Sequence, residues 1–114
     1  MISALAKDLM CSSRIRETCA ALGAEIKIGR TPQQLLAAGE ATTLFLIDLE
    51  AGGDDLFEAI STLRGQHPNS AIICFGSHVD ADRLKRAVMA GASDALPRSR
   101  FFGQLATLIK AASA

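Results

Sequence analysis

The chain has 114 residues, 49% of them hydrophobic, and its 12 basic and 12 acidic side chains give a formal net charge of zero. That length suits one domain, residues 1–114, with a core of its own. Zero net charge gives no bulk field drawing the protein to nucleic acid or to an anionic membrane surface. With no Trp, no Tyr and five Phe the core has to be aliphatic, and the three cysteines, Cys11, Cys19 and Cys74, have no CxxC spacing that would suggest a disulfide framework or a zinc site. A reducing, cytoplasmic setting is expected. No signal-peptide pattern opens the sequence, and no apolar run approaches the roughly 18 residues of a membrane span.

Ile2 to Ala6 reads as a first strand. The segment after it sets Cys11, Ile15, Cys19 and Leu22 on one helical face, and Gly23 ends that helix. Both cysteines therefore read as core. Ala24 to Ile28 is a second strand. Thr31-Pro32-Gln33-Gln34 then starts a short helix with a Thr cap, Pro in the first helical position and Gln three residues after the cap. Leu35 and Leu36 form its buried side. Thr42 to Leu49 is a third strand, apolar without alternation, as expected of a central strand covered on both faces. One carboxylate, Asp48, sits near its end.

Gly52-Gly53 loosens the next loop, and Asp55 with Glu58 is expected to make a capping box for a helix carrying Leu56, Ile60 and Leu63, closed by Gly65 and Pro68. Ala71 to Phe75 is a fourth strand, followed by Gly76 and Ser77. Asp80 is expected to cap a fourth helix that turns Leu84 and Val88 inward and ends at Gly91. Ala95-Leu96 is a fifth strand. Ser99 is read as the cap of a last helix whose Phe101, Leu105, Leu108 and Ile109 follow helical spacing. Strands alternating with helices predict an α/β sandwich around a parallel sheet of five strands.

In such sheets ligands gather outside the carboxyl ends of the strands. The residues there are Lys7 and Asp8, Asp48 and Glu50, Gly76 and Ser77, and Arg98, contributed by four separate segments. "SHVDADRLKRAVMAGASDALPRSRFF", from Ser77 to Phe102, resembles the response-regulator receiver family, in which a helix ends in a Gly-Ala pair before a strand and a Lys-Pro dipeptide. "LFLIDLEAGGDDLFEAI" resembles the receiver strand that ends in the phosphoacceptor aspartate. The resemblance spans nearly the whole chain. It implies a flavodoxin-like (CheY-like) three-layer α/β/α sandwich with five helices, and it places Asp48 on the phosphoacceptor.

The receiver pattern further implies an acidic pair after the first strand that helps hold Mg²⁺, a hydroxyl after the fourth, a lysine after the fifth, and an aromatic switch residue. This sequence departs from most of it. The acidic pair falls at Ala6 and Lys7, with Asp8 one place later. The hydroxyl position falls at Gly76, leaving Ser77 one residue off. The lysine becomes Arg98, the following proline becomes Ser99, and the switch position is Ala95. A reversed unit charge at about 4 Å, with an effective dielectric near 20, is worth roughly 4 kcal/mol, enough for on the order of a thousandfold in metal affinity. Lys7, standing where the metal would, or Arg98 is therefore expected to hold Asp48 by a salt bridge.

The expectation is a pseudo-receiver, not an enzyme, that acts by protein–protein interaction in a signalling pathway and needs no cofactor. Its partner, or a second copy in a homodimer, would meet the fourth helix, fifth strand and fifth helix through Arg83, Arg86, Arg100 and Gln104. The alternative is a working response regulator phosphorylated on Asp48, with Asp8, Asp48 and Glu50 as weak Mg²⁺ ligands. A third reading is a small catalytic domain built on Asp48, Lys7 and Arg98. His67 and His78 are read as surface residues, and Asp54-Asp55 as caps. Arg83, Lys85, Arg86, Arg98 and Arg100 are read as a solvated face, because no aromatic residue is interleaved for base stacking.

Overall fold

In the computed structural model, which describes residues 1–39 and 41–113, five strands alternate with five helices. They are β1 (Ile2–Leu5), α1 (Leu9–Ala21), β2 (Ile26–Gly29), α2 (Pro32–Leu36), β3 (Leu44–Asp48), α3 (Asp55–Gln66), β4 (Ala71–Gly76), α4 (Ala81–Ala90), β5 (Asp94–Pro97) and α5 (Arg98–Ser113), with a 3-10 turn, Leu49–Ala51, after β3. All strand pairs are parallel and the sheet order is β2-β1-β3-β4-β5. This is the flavodoxin-like order expected from the alternation and the family resemblance.

Successive strand residues point to opposite faces of a sheet, and the core divides accordingly. Leu44 and Leu46 of β3 join Phe75, Phe101 and the α1 residues Cys11, Ile15 and Cys19 in one layer. Phe45 and Ile47 join Leu35, Leu56, Ile60, Cys74 and Ala87 in the other. Helices α1 and α5 thus cover one face, and α2, α3 and α4 the other. Every residue of β3 is buried, which explains its unbroken apolar run. Aromatic packing is concentrated under α5, where Phe75 and Phe101 stack with ring centroids 4.1 Å apart.

Local signals succeed where the backbone geometry agrees with them. Helix α1 ends in a Schellman arrangement: Gly23 takes φ +69°, its N–H donates to Ala20 O, and Ala24 N–H donates to Cys19 O. Thr31 caps α2 by accepting from Gln34 N, but Gln34 Oε1 accepts from Arg30 N and not from the amide of the cap residue.

Elsewhere the structure corrects the sequence reading. Asp54, not Asp55, is the cap residue of α3, and it makes no capping bond; Asp55 Oδ1 instead turns back to accept from Gly53 N, so the Asp55–Glu58 capping box does not form. Asp80 precedes α4 as expected, but its side chain pairs with Arg83 at 3.6 Å and caps no amide. Ser99 caps nothing because α5 starts at Arg98, directly from β5. Helix α3 runs through Gly65 to Gln66. Leu22 and Val88, expected inside, are 37% and 45% exposed, and Ala87 takes the buried place on α4. His67, read as a surface residue, is buried edge-on against Phe45 with centroids 4.9 Å apart.

Candidate functional site

The register brings the strand ends together. Leu5 pairs with Ile47, Asp48 with Phe75, and Gly76 with Pro97. The residues immediately following therefore emerge on one rim, and a cavity of about 500 Å³ opens there. Its wall carries two carboxylates, Asp8 and Glu50, two guanidinium groups, Arg14 and Arg98, the hydroxyl-bearing Ser77, and apolar surface from Met10, Cys11 and Phe102. Asp48 is not on that wall; Arg98, which bonds it, is.

Asp48 closes β3 with its side chain 3% exposed. Its Oδ1 accepts from Glu50 N at 3.0 Å, so the carboxylate caps the 3-10 turn that follows. The same oxygen faces Arg98 Nη2 at 3.5 Å, and that nitrogen also meets Glu50 Oε2 at 3.1 Å. Arg98 is therefore held more closely by the exposed Glu50 than by buried Asp48, and its Nε is buried without a hydrogen-bond partner among the described residues. Burial pushes the Asp48 carboxyl above its ordinary range, against the pull of the Glu50 amide and then Arg98. Burial lowers the Arg98 value, but the hydrogen bond and charge of Glu50 outweigh it and leave the guanidinium more firmly protonated.

Asp8 is the N-cap of α1 and accepts from Met10 N at 3.1 Å. That amide, and next the Cys11 thiol, hold its carboxyl below the ordinary value. Burial, followed by the hydrogen bond to Asp8, pushes the Cys11 thiol up to about 11. Among the described residues, no group of three His, Cys, Asp or Glu side chains is placed to hold a metal ion. The residues present do not fit the magnesium site that the fold family implies. Asp8 is engaged as a cap, and a guanidinium stands against Asp48 and Glu50.

Lys7 is the sequence-predicted residue that the structure removes from the site. Ala6 is buried and Asp8 is committed to its cap. Lys7, between them, is exposed in a separate cavity lined also by Arg16, Ile28 and Arg30, and it forms no ion pair with Asp48. The role expected of Lys7 or Arg98 falls to Arg98 alone. Gly76 is buried at the end of β4, Ser77 Oγ accepts from Val79 N at 3.3 Å, and Ala95 is half-buried on the α2/α3/α4 side. Arg14, whose guanidinium lies 4.1 Å over the Phe102 ring, escaped the sequence reading. Its position one helical turn after Cys11 was the available signal.

The basic residues near α4 and α5 do not make one free cationic face. Arg83 donates to Leu49 O and Gly52 O, Arg86 pairs with Asp54 at 2.8 Å, and Arg98 is engaged as above. Among the described residues, no helix is long and apolar enough to cross a membrane.

No protein-family model matches the sequence, and no curated protein matches it. Solved structures do. The receiver domain of NtrX from Brucella abortus aligns with a TM-score of 0.83 at 18% identity, over 98% of this chain and 97% of that one. This chain has the receiver-domain fold. A longer NtrX structure in complex with ADP aligns with a TM-score of 0.81 at 18% identity over 97% of this chain, which spans only 25% of that one. A response regulator from Thermotoga maritima gives a TM-score of 0.78 at 17% identity, over 99% and 97% of the two chains. A putative pilus assembly-related protein from Burkholderia pseudomallei shares the receiver fold with a TM-score of 0.76 at 21% identity, over 98% and 87%.

Proposed function

We propose that this chain is a receiver-like regulatory domain that works by protein–protein contact, without phosphorylation of Asp48. Fold does not choose among roles; the receiver fold occurs here in a response regulator and in a putative pilus assembly-related protein alike. The observation that carries the proposal is the Arg98 guanidinium set against both Asp48 and Glu50. A phosphoacceptor has to be open to its donor and backed by a cation that can also take up phosphoryl charge. Asp48 is instead buried, spent as a cap, and faced by a fixed charge.

Phosphoryl transfer would need a divalent ion among oxygen ligands, and under this reading none is held, neither by Asp8, Asp48 and Glu50 nor otherwise. Catalysis on Asp48, Lys7 and Arg98 is disfavoured by the separation of Lys7 from the other two. Cys11, whose thiol reaches the cavity, stays protonated at neutral pH. The partner surface is α4, β5 and α5, where Lys85, Met89, Arg100 and Gln104 are exposed. It takes a protein, either a signalling partner or a second copy, and neither nucleic acid nor membrane. Charge balance and the engagement of Arg83, Arg86 and Arg98 support that choice.

The test is intact-mass measurement after incubation with acetyl phosphate and Mg²⁺. The expected result is an unchanged mass. A gain of one phosphoryl group, abolished by Asp48→Asn, would make the chain a working response regulator phosphorylated on Asp48.

A further inference from the structure

Helix α1 contributes to two cavities. Met10, Cys11 and Arg14 face the one near Asp48, where each guanidinium has a partner: Arg98 meets Glu50, and Arg14 lies over the Phe102 ring. Leu9, Ser12 and Arg16 face a second cavity of about 410 Å³ on the β2 side of the helix, where Lys7 and Arg30 complete a set of three cations. Among the described residues no carboxylate lines this second cavity, and the side chains of Lys7, Arg16 and Arg30 make no ion pair and no hydrogen bond.

Local structure brings these cations together. Leu9, Ser12 and Arg16 follow the i, i+3, i+7 spacing of one helical stripe. Leu5 pairs with Gly29, and Ala6 N donates to Gly29 O at 3.2 Å, so the chain leaves β1 and β2 side by side and sets Lys7 close to Arg30. Ala6 and Ile28 supply apolar wall between the charges. Like charges gathered in one concavity repel one another. A cleft lined by one sign of charge with apolar walls also focuses its field on an ion of the opposite sign.

We propose that this second cavity binds a small soluble anion carrying two or three adjacent phosphate groups. Its volume is that of a small-molecule pocket, not of an extended macromolecular surface. The planar guanidinium forks of Arg16 and Arg30 suit paired phosphate oxygens, and the Lys7 ammonium adds a compact third charge. A lone carboxylate cannot answer all three cations, whereas a short run of phosphate groups can. The cavity shares no lining residue with the one near Asp48, so the assignment stands or falls separately from the phosphorylation question. It also gives a task to Lys7, which the structure removes from the Asp48 site.

Calorimetric titration of the full chain with inorganic triphosphate, in buffer free of divalent ions, tests the site. Saturable binding is expected, roughly tenfold or more tighter than for inorganic phosphate and weakened by added salt. Arg16→Gln and Arg30→Gln are each expected to weaken it by about tenfold or more. Both side chains are exposed, so neither change threatens the fold. Asp48→Asn is expected to leave the affinity within about twofold, as is Lys27→Gln, which removes an exposed cation of β2 that lines a different cavity. Absence of saturable binding, or an equal loss in Lys27→Gln, would overturn the site. Capture by vesicles containing a phosphoinositide, with no binding of triphosphate, would overturn the soluble ligand.

Discussion

Asp48 shows how one carboxylate can keep a family position and take up a different task. Its net shift is upward, because burial outweighs the Glu50 amide and Arg98. The folded state therefore binds this proton more tightly than the unfolded chain does. The resulting stabilisation is complete below the ordinary value of 3.8 and is lost as pH rises through the raised folded value, so at neutral pH the buried anion is a net cost. Asn is nearly isosteric and still accepts from Glu50 N. Asp48→Asn is accordingly expected to raise the thermal midpoint by a few degrees at neutral pH, with the gain shrinking as pH falls through the carboxylate range. A variant less stable than wild type at neutral pH would mean that Arg98 outweighs burial. The place of Asp48 was legible in the sequence, since a carboxylate ending an apolar run marks a strand end. So was Arg98, by its spacing from Gly91-Ala92. Lys7 was not, because where a side chain goes after a strand end depends on whether its neighbours are buried or spent as caps, and Ala6 and Asp8 are.

Among the elements, α4 departs furthest from its expected packing. The spacing of Leu84 and Val88 suggested an inward stripe; Leu84 does pack against the core, but Val88 is 45% exposed, Ala87 takes the buried place, and arginines complete the attachment. A guanidinium bond to a backbone carbonyl is worth about 1.5–3 kcal/mol, more than the burial of one methyl group, which is why hydrophobic phase alone misplaces such a helix. Its far end is fixed by Arg64, whose guanidinium donates to Gly91 O at 2.9 Å, to Ser70 O at 2.8 Å and to Ser93 Oγ at 3.1 Å. Gly91 takes φ +131°, and a Cβ there would come within 2.9 Å of Arg64 Cβ. Gly23 takes φ +69° in open space. Gly91→Ala should therefore cost about 2–3 kcal/mol or more and Gly23→Ala only about 1–2 kcal/mol in chemical denaturation. Equal losses would contradict the role given to Arg64. Both glycines were legible as helix ends; the arginine beneath one of them was not, because Arg64 reaches it across 27 residues of sequence.

At the scale of the whole molecule, alternation of short apolar runs with capped amphipathic segments determined the class, and the β2-β1-β3-β4-β5 order follows the receiver fold. The continuous burial of β3 was legible because a strand covered on both faces cannot alternate. What lay beyond sequence reasoning was which of several charged residues on one rim pair with each other, since that depends on ångström-scale reach. Arg98 stands against Asp48 and Glu50 where the family resemblance expects a divalent ion. Calorimetric titration of the wild-type chain with Mg²⁺ tests this most directly. Heats no greater than dilution well into the millimolar range are predicted, whereas saturable binding lost in Asp48→Asn would contradict the account.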